Sequence, residues 1–127
     1  MNQVNRRLVI AAACAITALQ AAPALAQETI KIGLVAEMSG PFADFGRQME
    51  TGIKLYQKQH GDTVAGKKVV VITKDVGGPN PELAKRLATE LIVREKVQLL
   101  AGFGFTPNAL SVAPLATQPK VPMLVLN

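Results

Sequence analysis

The chain has 127 residues, 14 basic and 9 acidic, with a formal charge of +5. That size bounds it to one small domain beyond any targeting segment, and its basic residues alternate with acids instead of forming a block, which argues against nucleic-acid binding. A single cysteine, Cys14, excludes an internal disulfide, and a single histidine, His60, leaves little for a metal centre or a catalytic triad.

Residues 1–26 read as a cleavable export signal. Arg6 and Arg7 precede an apolar stretch from Leu8 to Ala22, and Ala24-Leu25-Ala26 places small residues where signal peptidase needs them. The alternative is a membrane anchor, but the apolar run is shorter than the roughly 20 residues a bilayer core requires. Cys14 reads as a small hydrophobe within the signal; the alternative, a lipid-anchoring cysteine, fits less well because the apolar run continues past it. Cleavage near Ala26 leaves residues 27–127 with 12 basic and 9 acidic side chains, a charge of +3, and an exported, periplasmic chain.

Beyond the signal, Ile30–Ala36 reads as a strand with the nearly continuous apolar character of one buried on both faces. Ser39-Gly40-Pro41 stops it. Met49, Ile53 and Tyr56 then mark one face of a helix over 46–60, with Lys54, Gln57 and Lys58 outward and Gly61 as its stop. Lys68–Thr73 is a β-branched strand. Asn80-Pro81-Glu82 supplies an N-cap, a first-turn proline and an acid for a helix whose stripe runs through Leu83, Ala84, Leu87, Ala88, Leu91 and Ile92. On its wet side Glu82/Arg86 and Glu90/Arg94 are spaced as ion pairs. Val97–Ala101 is a third strand and 106–118 a third helix, which Pro114 is expected to kink or weaken. Val121–Leu126 is a fourth strand, with Pro122 tolerable at its start. The order β-α-β-α-β-α-β implies right-handed crossovers: an α/β fold, a parallel sheet with helices on both faces.

In such sheets ligands bind beyond the carboxyl ends of the strands, where strand order reverses. The loops there are 37–46, 74–80, 102–106 and whatever lies past Asn127. The first and third hold all four phenylalanines, none on an expected helix. Phe45 and Phe105 read equally as site wall or packing; Phe42 and Phe103 read as packing. Thr106, between a Gly/Phe loop and a helix start, either caps the helix or binds a ligand. Backbone N–H groups around Asn108–Leu110 would favour a carboxylate there. Catalytic motifs are missing. Gly102-Phe103-Gly104 begins like a dinucleotide fingerprint but reaches Pro107 where the third glycine belongs, no phosphate-binding GxxxxGK[ST] loop is present, and nothing pairs Asp44 with Asp75 as acid and base. No enzyme activity, cofactor or metal is expected.

Taken together, IKIGLVAEMSGPFADFG, the segment VVVITKDVGGPNPELAKRLATELIVREKVQLLAGF and the closing APLATQPKVPMLVLN resemble the N-terminal part of periplasmic solute-binding proteins of ABC transporters, in the leucine/isoleucine/valine-binding branch. The resemblance implies a partial N-terminal lobe over 27–127, of the type I periplasmic binding protein fold. It also implies a small-molecule ligand, an amino acid or related carboxylate, and a membrane permease as partner. A ligand-sensing receptor of the same fold, or a binder of aromatic acids, is the alternative. Carried over residue by residue, the family pattern places Phe45 against the ligand side chain and Thr106 on its carboxylate, with the backbone around Gly104 and Phe105. Asn127 stands at the start of the loop that adds further contacts. The second lobe of that family lies beyond these residues, so a chain of residues 27–127 alone is expected to be marginally stable and to bind ligand weakly.

Overall fold

The computed structural model describes residues 28–127; the expected export signal and Cys14 lie outside the described residues. Strand β1 (Thr29–Ala36) leads through a 3₁₀ turn (Gly40–Phe42) into helix α1 (Ala43–His60). Strands β2 (Thr63–Val64) and β3 (Lys67–Asp75) follow, then helix α2 (Pro81–Val93), strand β4 (Leu99–Gly102), helix α3 (Thr106–Thr117) and strand β5 (Met123–Val125). They form one five-stranded sheet in the order β2-β3-β1-β4-β5. Every pairing is parallel except the short β2–β3 hairpin.

The α/β class and the main strand–helix alternation match the sequence reading; β2 is an addition. Its hairpin turns on Ala65 and Gly66, both at positive φ (49° and 78°), which suits the right-handed twist of the strands. The Ala-Gly pair lacks the Asn-Gly or Asp-Gly signature that would have exposed it. Helix α1 begins at Ala43, three residues before the expected start, because the 3₁₀ turn runs directly into it. Phe45 therefore lies on a helix and not in a loop.

Side chains alternate across the sheet and meet helices on both sides. Leu34, Ala36 and Ala101 pack with Ile32 and Val71 against Met49 and Ile53 of α1. On the other face, Val35 and Leu100 pack against Ala84, Ala88 and Leu91 of α2 and Ala109, Val112 and Ala116 of α3. The apolar stripe read for α2 is thus the buried one. Its charges pair differently from the i, i+4 expectation: Glu82 meets Lys85 at 2.9 Å, and Glu90 reaches across to Lys74 of β3 at 2.8 Å. Lys74 is itself half-buried against the sheet, so less freedom is lost in holding it there than in holding Arg94 over solvent. Gln57, expected outward, is half-buried and donates to the Val69 carbonyl at 3.4 Å. Tyr56 is mostly exposed and stacks on His60, ring centroids 4.3 Å apart.

Helix α3 continues through Pro114. The carbonyl that Pro114 leaves unpaired belongs to Leu110, which is exposed, so water can satisfy it. Pro122 sits just before β5 and contributes only its carbonyl, accepting from Leu100 N–H at 2.9 Å.

Helix α1 covers only part of its face. Leu99, Ala101, Leu124 and Leu126 continue the apolar surface past the helix, forming a groove of about 440 Å³ with Tyr56 and Ile53. Leu124 is 53% exposed there. Among the described residues no helix is long and apolar enough to cross a membrane.

The contrast between the two faces yields a stability test. Leu91→Ala, at a fully buried site, is expected to cost about 2–5 kcal/mol. Leu124→Ala should stay within about 0.5 kcal/mol. Urea denaturation monitored by circular dichroism checks both, and equal losses would contradict this assignment of the core.

Candidate ligand-binding site

The strand order fixes where a site can form. From β1 the chain crosses to β3 with α1 on one face. From β3 it returns past β1 to β4, and then to β5, with α2 and α3 on the other. The loops after β1 and β4 therefore leave neighbouring strands toward opposite faces, and a crevice opens between them.

On the β4 side the turn is sharp. Gly102 and Phe103 both have positive φ (105° and 60°), and Phe103 N–H donates to Val35 O at 2.8 Å. A left-handed phenylalanine is strained, and complete burial of its ring holds it there. Phe103 is packing, as the sequence suggested. Phe105 follows, half-buried, its ring edge-on to Phe42 with centroids 4.8 Å apart and planes at 74°. Phe42 also lies over Gly78, where a Cβ would stand 3.5 Å from its ring. The pair spans the crevice from the β1 loop to the β4 loop. Phe45, in the first turn of α1, is 55% exposed.

Thr106 is the first residue of α3, and Phe105, not Thr106, is its N-cap. The Phe105 carbonyl accepts from both Asn108 and Ala109 N–H, so these donors, expected to be free, are occupied. The available donors lie earlier. Neither Gly104 nor Phe105 gives its N–H to a protein acceptor among the described residues. The Thr106 hydroxyl makes no cap; it accepts from the Asn127 side chain at 3.0 Å. Gly104, Phe105, Thr106 and Asn127 thus converge at the carboxyl ends of β4 and β5, and Leu126 N–H bonded to Gly102 O at 2.8 Å holds the last of them in place.

Three polar side chains whose cross-loop roles sequence reasoning missed build the rim. Asp75, ending β3, accepts from Met38 and Gly77 N–H, each at 2.8 Å, and from the hydroxyl of Ser39. It ties the β1 loop to the β3 loop. Asn108, fully buried, accepts from Asn80 N–H and donates to Gly78 O, both at 2.9 Å. It ties the β3 loop to α3. Glu37, the residue after β1, is also fully buried, yet neither carboxyl oxygen has a hydrogen-bond partner. Its Oε2 lies 2.5 Å from where a Cβ on Gly104 would stand, so only glycine fits there. Spacing gave no signal for any of the three: each acts across loops brought together by the sheet.

The two carboxyl groups titrate in opposite directions. Burial pushes Glu37 above its usual 4.5; its own backbone N–H pulls the other way without cancelling this, and the negative charge of Asp75 adds to the rise. For Asp75 burial is the largest single effect and also pushes upward. The Ser39 hydroxyl and the N–H groups of Met38, Gly77 and Ser39 together outweigh it and hold the carboxyl below its usual 3.8. Among the described residues no group of three or more potential ligands could hold a metal ion.

A family model described as "Periplasmic binding protein" matches residues 29–127. The Leu/Ile/Val-binding protein homolog 6 of Brucella abortus is 44% identical over 115 residues, 91% of this chain and 29% of the relative. A solute-binding protein of an ABC transporter from Rhodopseudomonas palustris BisB5, in complex with 3,4-dihydroxybenzoic acid, is 58% identical with a TM-score of 0.74. That match covers 76% of this chain and 26% of the other. One from R. palustris in complex with 4-hydroxybenzoate is 51% identical with a TM-score of 0.77, covering 79% and 27%. The chain therefore spans less than a third of the length of these proteins.

The opposed titrations set the pH dependence of stability. For Asp75 the contribution is present above 3.8 and is lost as pH falls through its lower folded value; Asp75→Ala should cost about 1 kcal/mol at pH 7 and progressively less in acid. For Glu37 the folded form keeps its proton longer than the unfolded one, so stability is full below 4.5 and declines as pH rises toward the folded value. Glu37→Gln should abolish that decline. Urea midpoints measured across pH test both signs, and a decline retained by E37Q would refute the second.

Proposed function

The chain belongs to the periplasmic binding protein family, and we propose that its crevice is one side of a cleft that captures a small carboxylate in the periplasm for delivery to the membrane permease of an ABC transporter. The relatives are solute-binding proteins and not enzymes, and capture needs no chemistry: the ligand is held between two lobes and released on opening. The observation that carries the reading is the convergence of the Thr106 hydroxyl with the unengaged N–H groups of Gly104 and Phe105 at the start of α3. Hydrogen-bond donors at a helix N-terminus suit an anion, and the dipole adds to their pull.

Two ligand classes fit a carboxylate site, branched-chain amino acids and aromatic acids. The Phe42–Phe105 pair supports the second, because an edge-to-face pair at the mouth offers ring faces and edges to a flat ligand. The proteins solved with hydroxybenzoates are 51% and 58% identical, against 44% for the Leu/Ile/Val-binding homologue. We therefore place 4-hydroxybenzoate or a close analogue ahead of leucine as the ligand. Asn127 and Phe45 complete the wall in this reading, Asn127 by fixing the Thr106 hydroxyl and Phe45 by standing free at the rim.

Titration followed by amide nuclear magnetic resonance tests this directly, since it registers weak binding. Adding 4-hydroxybenzoate should shift the Gly104, Phe105 and Thr106 amides, with leucine giving smaller changes. Thr106→Val should weaken binding about tenfold, the loss of one hydrogen bond to a charged group. No shift with either compound would remove the carboxylate reading; larger shifts with leucine would reverse the order of ligands.

A further inference from the structure

The Glu37 carboxyl is a buried side chain whose two oxygens have no hydrogen-bond partner, and it sits at the end of the central strand where the crevice opens. An anion in that place would have no water and no donor beyond its own backbone N–H, a greater cost than keeping a proton. The surrounding elements supply no cation to offset it. The end of β3 brings Asp75, a like charge. The first turn of α1 brings Asp44 and Arg47, exposed and paired with each other at 2.6 Å. The side chains of the Gly102–Phe105 loop, the first turn of α3 and residues 123–127 bring no charge.

Only the backbone of Gly104 stands between this carboxyl and the segment that faces the ligand. Oε2 occupies the space that any side chain at 104 would take, and the Gly104 N–H belongs to the donor set. A ligand carboxylate on Gly104–Thr106 and an ionised Glu37 would be two negative charges separated by about one peptide unit with little water between them. We propose that capture of a carboxylate ligand is coupled to retention of a proton by Glu37, so that the crevice accepts an anion only while Glu37 is neutral. The coupling rests on the carboxylate-capture reading above. It is reciprocal: ionised Glu37 weakens the ligand, and bound ligand makes Glu37 harder to ionise, drawing a proton from solvent wherever Glu37 had lost one.

The test measures 4-hydroxybenzoate affinity on the full chain by amide shifts between about pH 6 and 8.5, where the ligand carboxylate stays ionised. Wild-type affinity should fall by up to about tenfold per pH unit once Glu37 ionises, and the Glu37→Gln variant should show a flat profile. The carboxyl carbon of Glu37, followed in the wild-type protein with and without ligand, gives a second readout that needs no variant; its titration should move to higher pH when ligand is bound. A flat wild-type profile, a slope retained in E37Q, or a Glu37 titration unmoved by ligand overturns the coupling and leaves the binding site standing. Amide shifts absent from both proteins at every pH overturn the carboxylate site, and the coupling with it.

Discussion

The position of β1 in the sheet is the constraint from which the rest follows. It is the first strand in the chain and the middle one in space, paired along its whole length with β3 and over its second half with β4. Burial on both faces selects the apolar run from Leu34 to Ala36, and pairing on both edges leaves its backbone no freedom. Because the chain goes one way from β1 and then comes back past it, the connections must lie on opposite faces, and the gap between the two loops is a geometric result of that reversal. The crevice needs no side chain to create it; side chains only furnish it.

The furnishing is mostly polar and mostly cross-loop. Asp75 fixes the β1 loop from β3, Asn108 fixes the β3 loop from α3, and Asn127 fixes Thr106 from beyond β5. Each bond joins segments distant in sequence, so the rim holds its shape only once the sheet is complete. Glu37 is the exception, a polar group with no partner, set among residues whose needs are otherwise met. An unsatisfied group of that kind costs stability, and under the proposed coupling its place beside the Gly104 backbone gives that cost a function.

Much of this was legible in the sequence because periodicity reports burial directly. The α2 stripe and the β1 and β3 runs each bury a continuous surface, and a repeating pattern survives small errors at the ends. The convergence of Gly104, Phe105 and Thr106 could be read too, since the rule for open sheets names the strand ends and the three residues are adjacent. What could not be read were distances between loops. Asn108 looks like a helix residue, Asp75 like a strand end and Glu37 like part of a polar turn; nothing in their neighbours reports the partners that the fold brings to them. The free donors expected around Asn108–Leu110 proved to be at Gly104 and Phe105 because the N-cap is Phe105 and not Thr106, with the Phe105 carbonyl taking the Asn108 and Ala109 N–H groups. A one-residue shift of the N-cap is within the ordinary uncertainty of a helix end, yet it moves the whole edge of free donors.

The same strand order bears on how the chain reaches its fold. Thr29 finds its neighbour at Lys68, and Ile32 finds its second neighbour only at Leu99. One edge of the central strand therefore stays open until Leu99 is reached, and contacts that close such long loops form slowly. Slowness is usually counted against a protein, since exposed strands aggregate. A middle strand that comes first in the chain and gains its second neighbour only when β4 arrives keeps the sheet from closing early, so the chain stays pliable while its later elements form.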